Sequence, residues 1–213
     1  MELPFLLIFE LIGTVAFSIS GAAIGLRKNM DIFGVVILGL CTAVGGGVLR
    51  DLILGITPPG TFRAPIYAIV AIGTAIIAFL PAVRRLFGSH QRLSDLLLLV
   101  MDSVGLGIFT VVGVRVAYDV PCEHGLYLMC FVGVITGVGG GILRDCMAGL
   151  MPYVFVKHFY ACASLIGSIA CTLLWSLLGE TGAMIVGAVL VIVLRLLAAR
   201  YRWSLPKAHP VSK

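Results

Sequence analysis

Apolar stretches of about 20 residues alternate with short polar connections along the whole chain. A helix of that length rises about 30 Å, which matches the hydrocarbon thickness of a bilayer. The connections carry turn-forming residues, such as Lys28-Asn29, Pro58-Pro59-Gly60 and Gly179-Glu180. The pattern therefore predicts an all-α, polytopic membrane protein with seven transmembrane helices, near residues 4–26, 32–56, 64–84, 95–116, 125–150, 158–178 and 182–201.

Composition supports this prediction. Hydrophobic residues make up 60% of the 213 residues and charged residues 12%, and the mean hydropathy is +1.12. Soluble domains average roughly 45–50% apolar and 25% charged residues. The net charge of +5 comes from short loops and the C-terminal tail, with no basic stripe, so a nucleic-acid partner is not expected.

The loop charges predict an orientation. One side carries most of the basic residues, and the other side carries only two, Arg63 and Arg115, beside three acidic residues. The positive-inside rule then places the N-terminus outside and the C-terminus in the cytoplasm. The basic residues of the cytoplasmic side are Arg27, Lys28, Arg84, Arg85, Arg92, Lys157, Arg200, Arg202, Lys207 and Lys213.

A seven-residue motif occurs twice inside apolar spans. Gly45-Gly46-Gly47-Val48-Leu49-Arg50-Asp51 returns as Gly139-Gly140-Gly141-Ile142-Leu143-Arg144-Asp145. Spans one and four match at an offset of 92 residues, and the motif regions match at an offset of 94. Each copy holds three spans, an odd number, so the copies form an inverted repeat. The predicted units are 3–87, 93–178 (inverted), a seventh helix at 182–203 and a cytoplasmic tail at 204–213.

The glycine triplets allow two interpretations. Small residues let helices pack closely, and the four-residue spacing of Gly133, Gly137 and Gly141 suits that role. Alternatively, Gly45–Gly47 and Gly139–Gly141 kink or break their helices and free backbone groups beside a cavity near the bilayer centre. Half-helix ends of that kind would suit a small zwitterion, whereas carbonyls alone would suit a dehydrated monovalent cation.

Charged residues within the spans are the second candidate feature. Helix rise places Arg50 and Asp51 in the outer third with Glu10, and Arg144 and Asp145 in the inner third with Asp102. We expect Glu10 to accompany Arg50 and Asp102 to accompany Arg144, because an unpaired charge in a membrane is costly. The pairs either contact the solute or only lock helices together.

The remaining polar residues predict less chemistry. Six cysteines and four histidines show no metal-ligand spacing, and neither glycine run completes a nucleotide-binding fingerprint. We therefore expect no metal, no cofactor and no catalytic residue, and we do not expect an enzyme. Arg195 is predicted to extend toward the cytoplasmic interface. Tyr153, Tyr160, Tyr201 and Trp203 are predicted to lie in interfacial belts.

The chain resembles a bacterial twin-repeat family in three segments. These are the doubled G-G-G-x-L-R-D motif, Met30-Asp31-Ile32-Phe33-Gly34-Val35 and Asp102-Ser103-Val104-Gly105-Leu106. Its members are called glycine-transporter-domain proteins and prokaryotic relatives of the trimeric intracellular cation (TRIC) channels. The resemblance implies a homotrimer, a pore in each protomer, kinks at both triplets, and Arg50 and Arg144 beside the pathway. Animal channels carry Lys-Glu-Val in place of one triplet, which argues against their phosphoinositide regulation and cation selectivity here.

Transport of a very small polar solute, with glycine as the leading candidate, is therefore the predicted function. Arg50 and Arg144 would bind the carboxylate, Glu10 and Asp102 would hold the arginines, and Asp51, Asp145 and the triplets would complete the site. The alternatives are a monovalent cation channel for K⁺ or Na⁺ and a structural membrane protein. The expected partners are the solute, the bilayer and further copies of the chain.

Overall fold

In a computed structural model of the chain, residues 2–84, 91–121, 125–156 and 159–203 are described. Their regular structure is helical. Five helices are long and apolar enough to cross a bilayer, and a shorter apolar helix, α4, lies between two of them. The helices are α1 (Glu2–Arg27), α2 (Ile32–Ile53), α3 (Gly60–Arg63), α4 (Ile66–Phe79), α5 (Gln91–Asp119), α6 (Leu126–Met147), α7 (Tyr153–Val156) and α8 (Tyr160–Tyr201).

The 42-residue helix α8 is a hairpin of two spans. Gly179 has φ 70° and ψ 174°, which no helix accommodates, and it lies in the predicted Gly179-Glu180 connection. The two arms pack against each other, since a methyl group on Gly187 would lie 2.9 Å from Cys171 Cβ and 3.2 Å from the carbonyl of Gly167. Counting both arms and α4, the protein has seven spanning segments in its described part.

The third span is shorter than predicted. Residues 64–84 were expected to form one helix, but α4 has only 14 residues and ends before Leu80. Leu80 precedes Pro81 and has ψ 141°, as a residue before proline does because the proline ring crowds the helical conformation. A separate helical turn follows at residues 81–84.

Reciprocal contacts relate the two halves of the molecule. A methyl group on Gly46 would collide with the carbonyl oxygen of Thr136, and one on Gly140 would collide with the carbonyl oxygen of Thr42. Gly46 and Gly140 are equivalent at the 94-residue offset, and so are Thr42 and Thr136. Contacts that repeat with the partners exchanged are typical of a two-fold relation. The pseudo-two-fold axis therefore passes between α2 and α6.

The same axis passes between two aromatic rings. Phe17 and Phe109 are equivalent at the 92-residue offset, and their ring centroids lie 5.3 Å apart. Each ring also covers the equivalent glycine of the other half, Gly105 beneath Phe17 and Gly13 beneath Phe109. The unit boundaries predicted above stay predictions, and the predicted tail at 204–213 lies outside the described residues.

Candidate functional site

The glycine triplets lie inside continuous helices. Residues 45–47 and 139–141 are α-helical, as are their neighbours on both sides, so the interpretation that the triplets break their helices is wrong. A kink at each triplet stays a prediction. The close approach of α2 and α6 explains the central glycines, because Gly46 and Gly140 contact the carbonyls of Thr136 and Thr42. The packing interpretation accounts for these two residues.

The third glycine of each triplet lies beside an arginine of the same helix. Methyl groups on Gly47 and Gly141 would each lie 3.8 Å from Nη2 of the arginine three residues later, Arg50 or Arg144. Helical side chains lean toward the N-terminus, so a residue three positions later lies over the preceding turn. The G-x-x-R spacing therefore lets each guanidinium lie along its own helix.

Both Arg-Asp pairs have the same geometry. Arg50 Nε donates to Asp51 Oδ1 at 2.8 Å, and Arg144 Nε donates to Asp145 Oδ1 at 2.8 Å. The second carboxylate oxygen accepts a backbone N–H at the start of a short helix, from Gly60 at 2.7 Å in the first half. In the second half that donor is the N–H of Tyr153 at 2.9 Å. Each aspartate therefore joins the end of a spanning helix to the connection that follows it.

Arg144 is the centre of a buried polar cluster. Its side chain has no exposed surface, and its Nη1 donates to Asp102 Oδ1 at 2.6 Å and to Ser20 Oγ at 2.5 Å. Its guanidinium carbon lies 5.1 Å from the ring centroid of Tyr153. The expected proximity of Asp102 to Arg144 is thus present as a direct ion pair. We name this group the Arg144 cluster. Its members are Ser20, Asp102, Arg144, Asp145, Tyr153, Tyr160 and Arg195.

Arg195 and Tyr160 belong to this cluster, contrary to their predicted interfacial positions. Each is only 2% exposed. The Arg195 guanidinium lies 4.6 Å from the centroid of the Tyr160 ring, and its Nη2 lies 3.9 Å from Asp102 Oδ2. The Tyr160 hydroxyl lies 3.5 Å from Asp102 Oδ1. A charge in an apolar span is more often part of an internal site than an anchor, and Arg195 follows that rule.

The other half contains the Arg50 cluster, which comprises Glu10, Arg50, Asp51 and Tyr67. Glu10 accepts a hydrogen bond from the Tyr67 hydroxyl, and Arg50 pairs with Asp51. Glu10 and Arg50 line one cavity of about 260 Å³ but form no ion pair with each other within 4.0 Å. The depth estimate therefore placed them in the same region, although their expected pairing is absent.

The two clusters differ in their access to solvent. The Arg50 side chain is 13% exposed, whereas the side chains of Arg144 and Asp145 are 0% exposed. Gly47 and Phe109 also line the cavity beside Arg50, and Phe109 packs on the buried ring of Phe17 at the pseudo-two-fold axis. The cavity therefore reaches the aromatic pair from the Arg50 side.

Ion pairs at the helix ends group the loop charges as expected. Arg27 pairs with Asp95 at 2.8 Å, joining the end of α1 to the start of α5. Arg115 pairs with Glu180, and with Asp119 at 3.4 Å, near the opposite end of α5. The pairing is consistent with two distinct ends, and the predicted orientation of those ends in the membrane stays a prediction.

Comparison with known proteins identifies the family. A family model described as "Glycine transporter" matches residues 7–82 and 99–176, which is more than half of the chain. The chain belongs to the glycine transporter family. The chain is similar to the UPF0126 inner membrane protein YadS of Escherichia coli K12, at 37% identity over 92% of this chain and 93% of that protein. A Bacillus subtilis member, YvgT, is 33% identical over 93% and 94%.

Solved structures show the same fold as this family member. A structure described as "Structural basis for conductance through TRIC cation channels" is 37% identical, with a TM-score of 0.84 over 97% of this chain and 98% of that one. A prokaryotic TRIC channel in 0.5 M KCl is 29% identical, with a TM-score of 0.86 over 96% and 100%. As a member of the glycine transporter family with this fold, the chain is a multi-pass membrane protein that functions in transmembrane transport.

Sequence reasoning missed five members of the two clusters, because it assigned Tyr153 and Tyr160 to interfacial belts and did not place Ser20, Tyr67 or Arg195 in either cluster. Tyr67 and Ser20 carry no signal by themselves, because a single hydroxyl in an apolar span is common. Arg195 did carry a signal, since an ionisable residue in the middle of a span indicates a site by default. It lies in the last span, which has no counterpart in the repeat, so repeat matching gave it no partner.

Proposed function

We propose that this protein is a channel for monovalent cations, K⁺ or Na⁺, with a pathway in each protomer that begins at the cavity beside Arg50. The observation that carries the proposal is the charge of the Arg50 cluster. It holds two carboxylates, Glu10 and Asp51, against one guanidinium, so its formal charge is −1. A cavity beside a cluster of that sign concentrates cations and repels anions.

The helix geometry supports a cation over glycine. The amino-acid hypothesis needs free N–H groups of a half-helix to bind the carboxylate, but α2 and α6 are continuous through the triplets. The cavity lies instead near the C-terminal end of α2, beside Gly47 and Arg50. That end of a helix dipole is negative and favours cations. Arg50 is held by Asp51, so it is less available to a carboxylate solute.

The solved relatives support the same choice and extend it. The structures at 37% and 29% identity are described as TRIC cation channels, and one from Rhodobacter sphaeroides, 31% identical, is described as trimeric. We accordingly propose a homotrimer in the bacterial inner membrane, with the N-terminus outside. Glycine transport, which the family's description favours, is the second candidate function.

Two measurements on one preparation test the proposal. Purified protein in a planar bilayer with KCl and no amino acid is expected to give unitary currents whose reversal potential follows the K⁺ gradient. The same protein in liposomes is expected to take up no labelled glycine above protein-free vesicles. Saturable glycine uptake without unitary currents would overturn the cation channel in favour of the transporter.

A further inference from the structure

Arg195 breaks the two-fold relation between the clusters. The Arg50 and Arg144 clusters each contain an arginine, the aspartate that follows it and a second carboxylate, from α1 in the first cluster and from α5 in the second. Arg195 comes from the second arm of α8, which lies outside the repeat. It is 2% exposed and lies against Asp102 and Tyr160. The Arg144 cluster therefore contains one positive charge that the symmetry of the repeat does not require.

That extra charge cancels the negative charge of its cluster. Without Arg195, the Arg144 cluster holds Asp102 and Asp145 against a single arginine, the same balance as in the Arg50 cluster. With Arg195 the formal charge is zero. The Arg195 guanidinium therefore occupies a position beside Asp102 where a mobile cation would otherwise balance the negative charge of the cluster.

The contact between Arg195 and Asp102 is loose compared with its neighbours. Arg195 Nη2 lies 3.9 Å from Asp102 Oδ2, whereas Arg144 Nη1 lies 2.6 Å from Asp102 Oδ1. A separation of 3.9 Å is too long for a hydrogen bond. Asp102 Oδ2 and Arg195 Nε are buried and have no hydrogen-bond partner in the described part of the chain. Asp102 Oδ2 is thus a buried carboxylate oxygen that a cation could coordinate.

Tyr160 fills the space on the Arg144 side that corresponds to the cavity on the Arg50 side. A methyl group on Gly141 would lie 2.8 Å from the Tyr160 hydroxyl, so this hydroxyl fills the space beside the third glycine of the second triplet. The equivalent space beside Gly47 faces the cavity on the Arg50 side. Arg195 lies over the Tyr160 ring and backs it from the seventh span. Movement of Arg195 would therefore release both the charge and the side chain that close the second half.

We propose that Arg195 is a resident counter-ion that closes the Arg144 half of the pathway, and that a permeating monovalent cation replaces it beside Asp102. This inference rests on the proposed cation conduction. Arg195 is a positioning residue here, acting through Asp102 and Tyr160. Opening requires a shift of the second arm of α8 relative to α5, and Gly179 is the one non-helical residue in α8 at which the two arms join.

The first test compares currents. Arg195→Gln in a planar bilayer is expected to raise the time-averaged K⁺ conductance about tenfold, equivalent to about 1.4 kcal/mol lost from the closed state. Arg195→Lys keeps the positive charge but loses the planar guanidinium over the Tyr160 ring, so it is expected to raise the conductance less than Arg195→Gln does. Arg200→Gln removes an exposed positive charge from the same helix and serves as the matched control. Equal conductance in Arg195→Gln and Arg200→Gln would overturn the proposal.

The second test reads hydration of the cluster without using current. A Ser20→Cys variant, in a chain whose six native cysteines are replaced, carries a thiol beside Arg144. The small cationic reagent MTSEA is expected to label it about tenfold faster when Arg195→Gln is added. With Arg195 intact, labelling is expected to rise with KCl and not with N-methyl-D-glucamine chloride. This arm needs no Arg195 substitution, so it applies even if Arg195→Gln does not fold.

The outcomes separate the two proposals. Faster labelling in Arg195→Gln, together with no K⁺ current from any variant, would retain the closure by Arg195 and refute the channel. K⁺ currents in the parent protein, with labelling that neither Arg195→Gln nor KCl changes, would retain the channel and refute the role of Arg195.

Discussion

Gly140 lies directly against the backbone carbonyl of Thr42, at the point where α6 crosses α2. The pseudo-two-fold relation repeats this contact between Gly46 and the carbonyl of Thr136. Backbone atoms cannot move aside as a flexible side chain can. The middle glycine of each triplet is therefore fixed by packing, whatever solute the protein carries.

Gly140→Ala is expected to destabilise the protein. Alanine improves helix propensity by roughly 1 kcal/mol over glycine, but the added methyl group collides with the Thr42 carbonyl. Forcing extra atoms into a packed contact costs about 1–3 kcal/mol, and more where the neighbour is backbone. The clash outweighs the gain, so the midpoint of thermal unfolding in detergent should fall.

Gly73→Ala provides the matched control. Gly73 lies within α4, and a methyl group there meets no atom within 4 Å. The substitution should leave the unfolding midpoint unchanged or raise it slightly, because only the helix propensity changes. An equal loss of stability in both variants would contradict the packing role assigned to Gly140.

Asp102→Asn is expected to be more destabilising than Glu10→Gln, the substitution at the equivalent carboxylate of the first half. Asp102 is fully buried between Arg144 and Arg195, and removing its charge leaves two arginines with only Asp145. Breaking a buried ion pair on one side costs about 3–5 kcal/mol. Glu10→Gln, at the equivalent position, should cost far less because Glu10 lies beside a cavity. Thermal unfolding of both variants in the same detergent checks the order, and a reversed order would refute it.

Gly149→Ala tests the connection after α6. Gly149 has φ +64° and open space around it, so an alanine would meet no clash, only backbone strain. A left-handed residue with a Cβ costs roughly 1–2 kcal/mol. Gly55, at φ +69°, is its equivalent in the first half, and Gly55→Ala should lower the unfolding midpoint by a similar amount. A loss in one variant alone would show that the two connections are not energetically equivalent.

The spans, the repeat and the charge pairing of the second half follow from the sequence for physical reasons. Apolar length determines how many helices can cross a bilayer, and repeated residues at constant offsets determine which positions are equivalent. Helix rise was sufficient to place Asp102 at the depth of Arg144, where the structure has their ion pair. These inferences depend only on distance along a helix.

The predictions that were wrong concern the direction in which a residue faces and what it packs against. The depth of a residue in the membrane does not say in which direction its side chain points around the helix axis. Depth alone therefore predicted a pair between Glu10 and Arg50, whereas in the structure Glu10 bonds to Tyr67 and Arg50 bonds to Asp51. Glycine is compatible with both a broken helix and a close crossing, and the Thr42 carbonyl that decides between them at Gly140 lies almost 100 residues away. Long-range packing of this kind leaves no local pattern.

Glu10→Gln is expected to reduce cation selectivity without loss of the fold. The substitution removes one of two carboxylates from the Arg50 cluster, so its formal charge changes from −1 to zero beside the cavity. The Tyr67 hydroxyl can still donate to the amide oxygen of Gln, so the local hydrogen bond survives. In a planar bilayer with a KCl gradient, the reversal potential should move from near the K⁺ equilibrium value toward zero. Asp31→Asn, which removes an exposed carboxylate at the start of α2, is the control and should leave the reversal potential unchanged. If both variants keep the parent's reversal potential, the charge of the Arg50 cluster does not select the permeating ion.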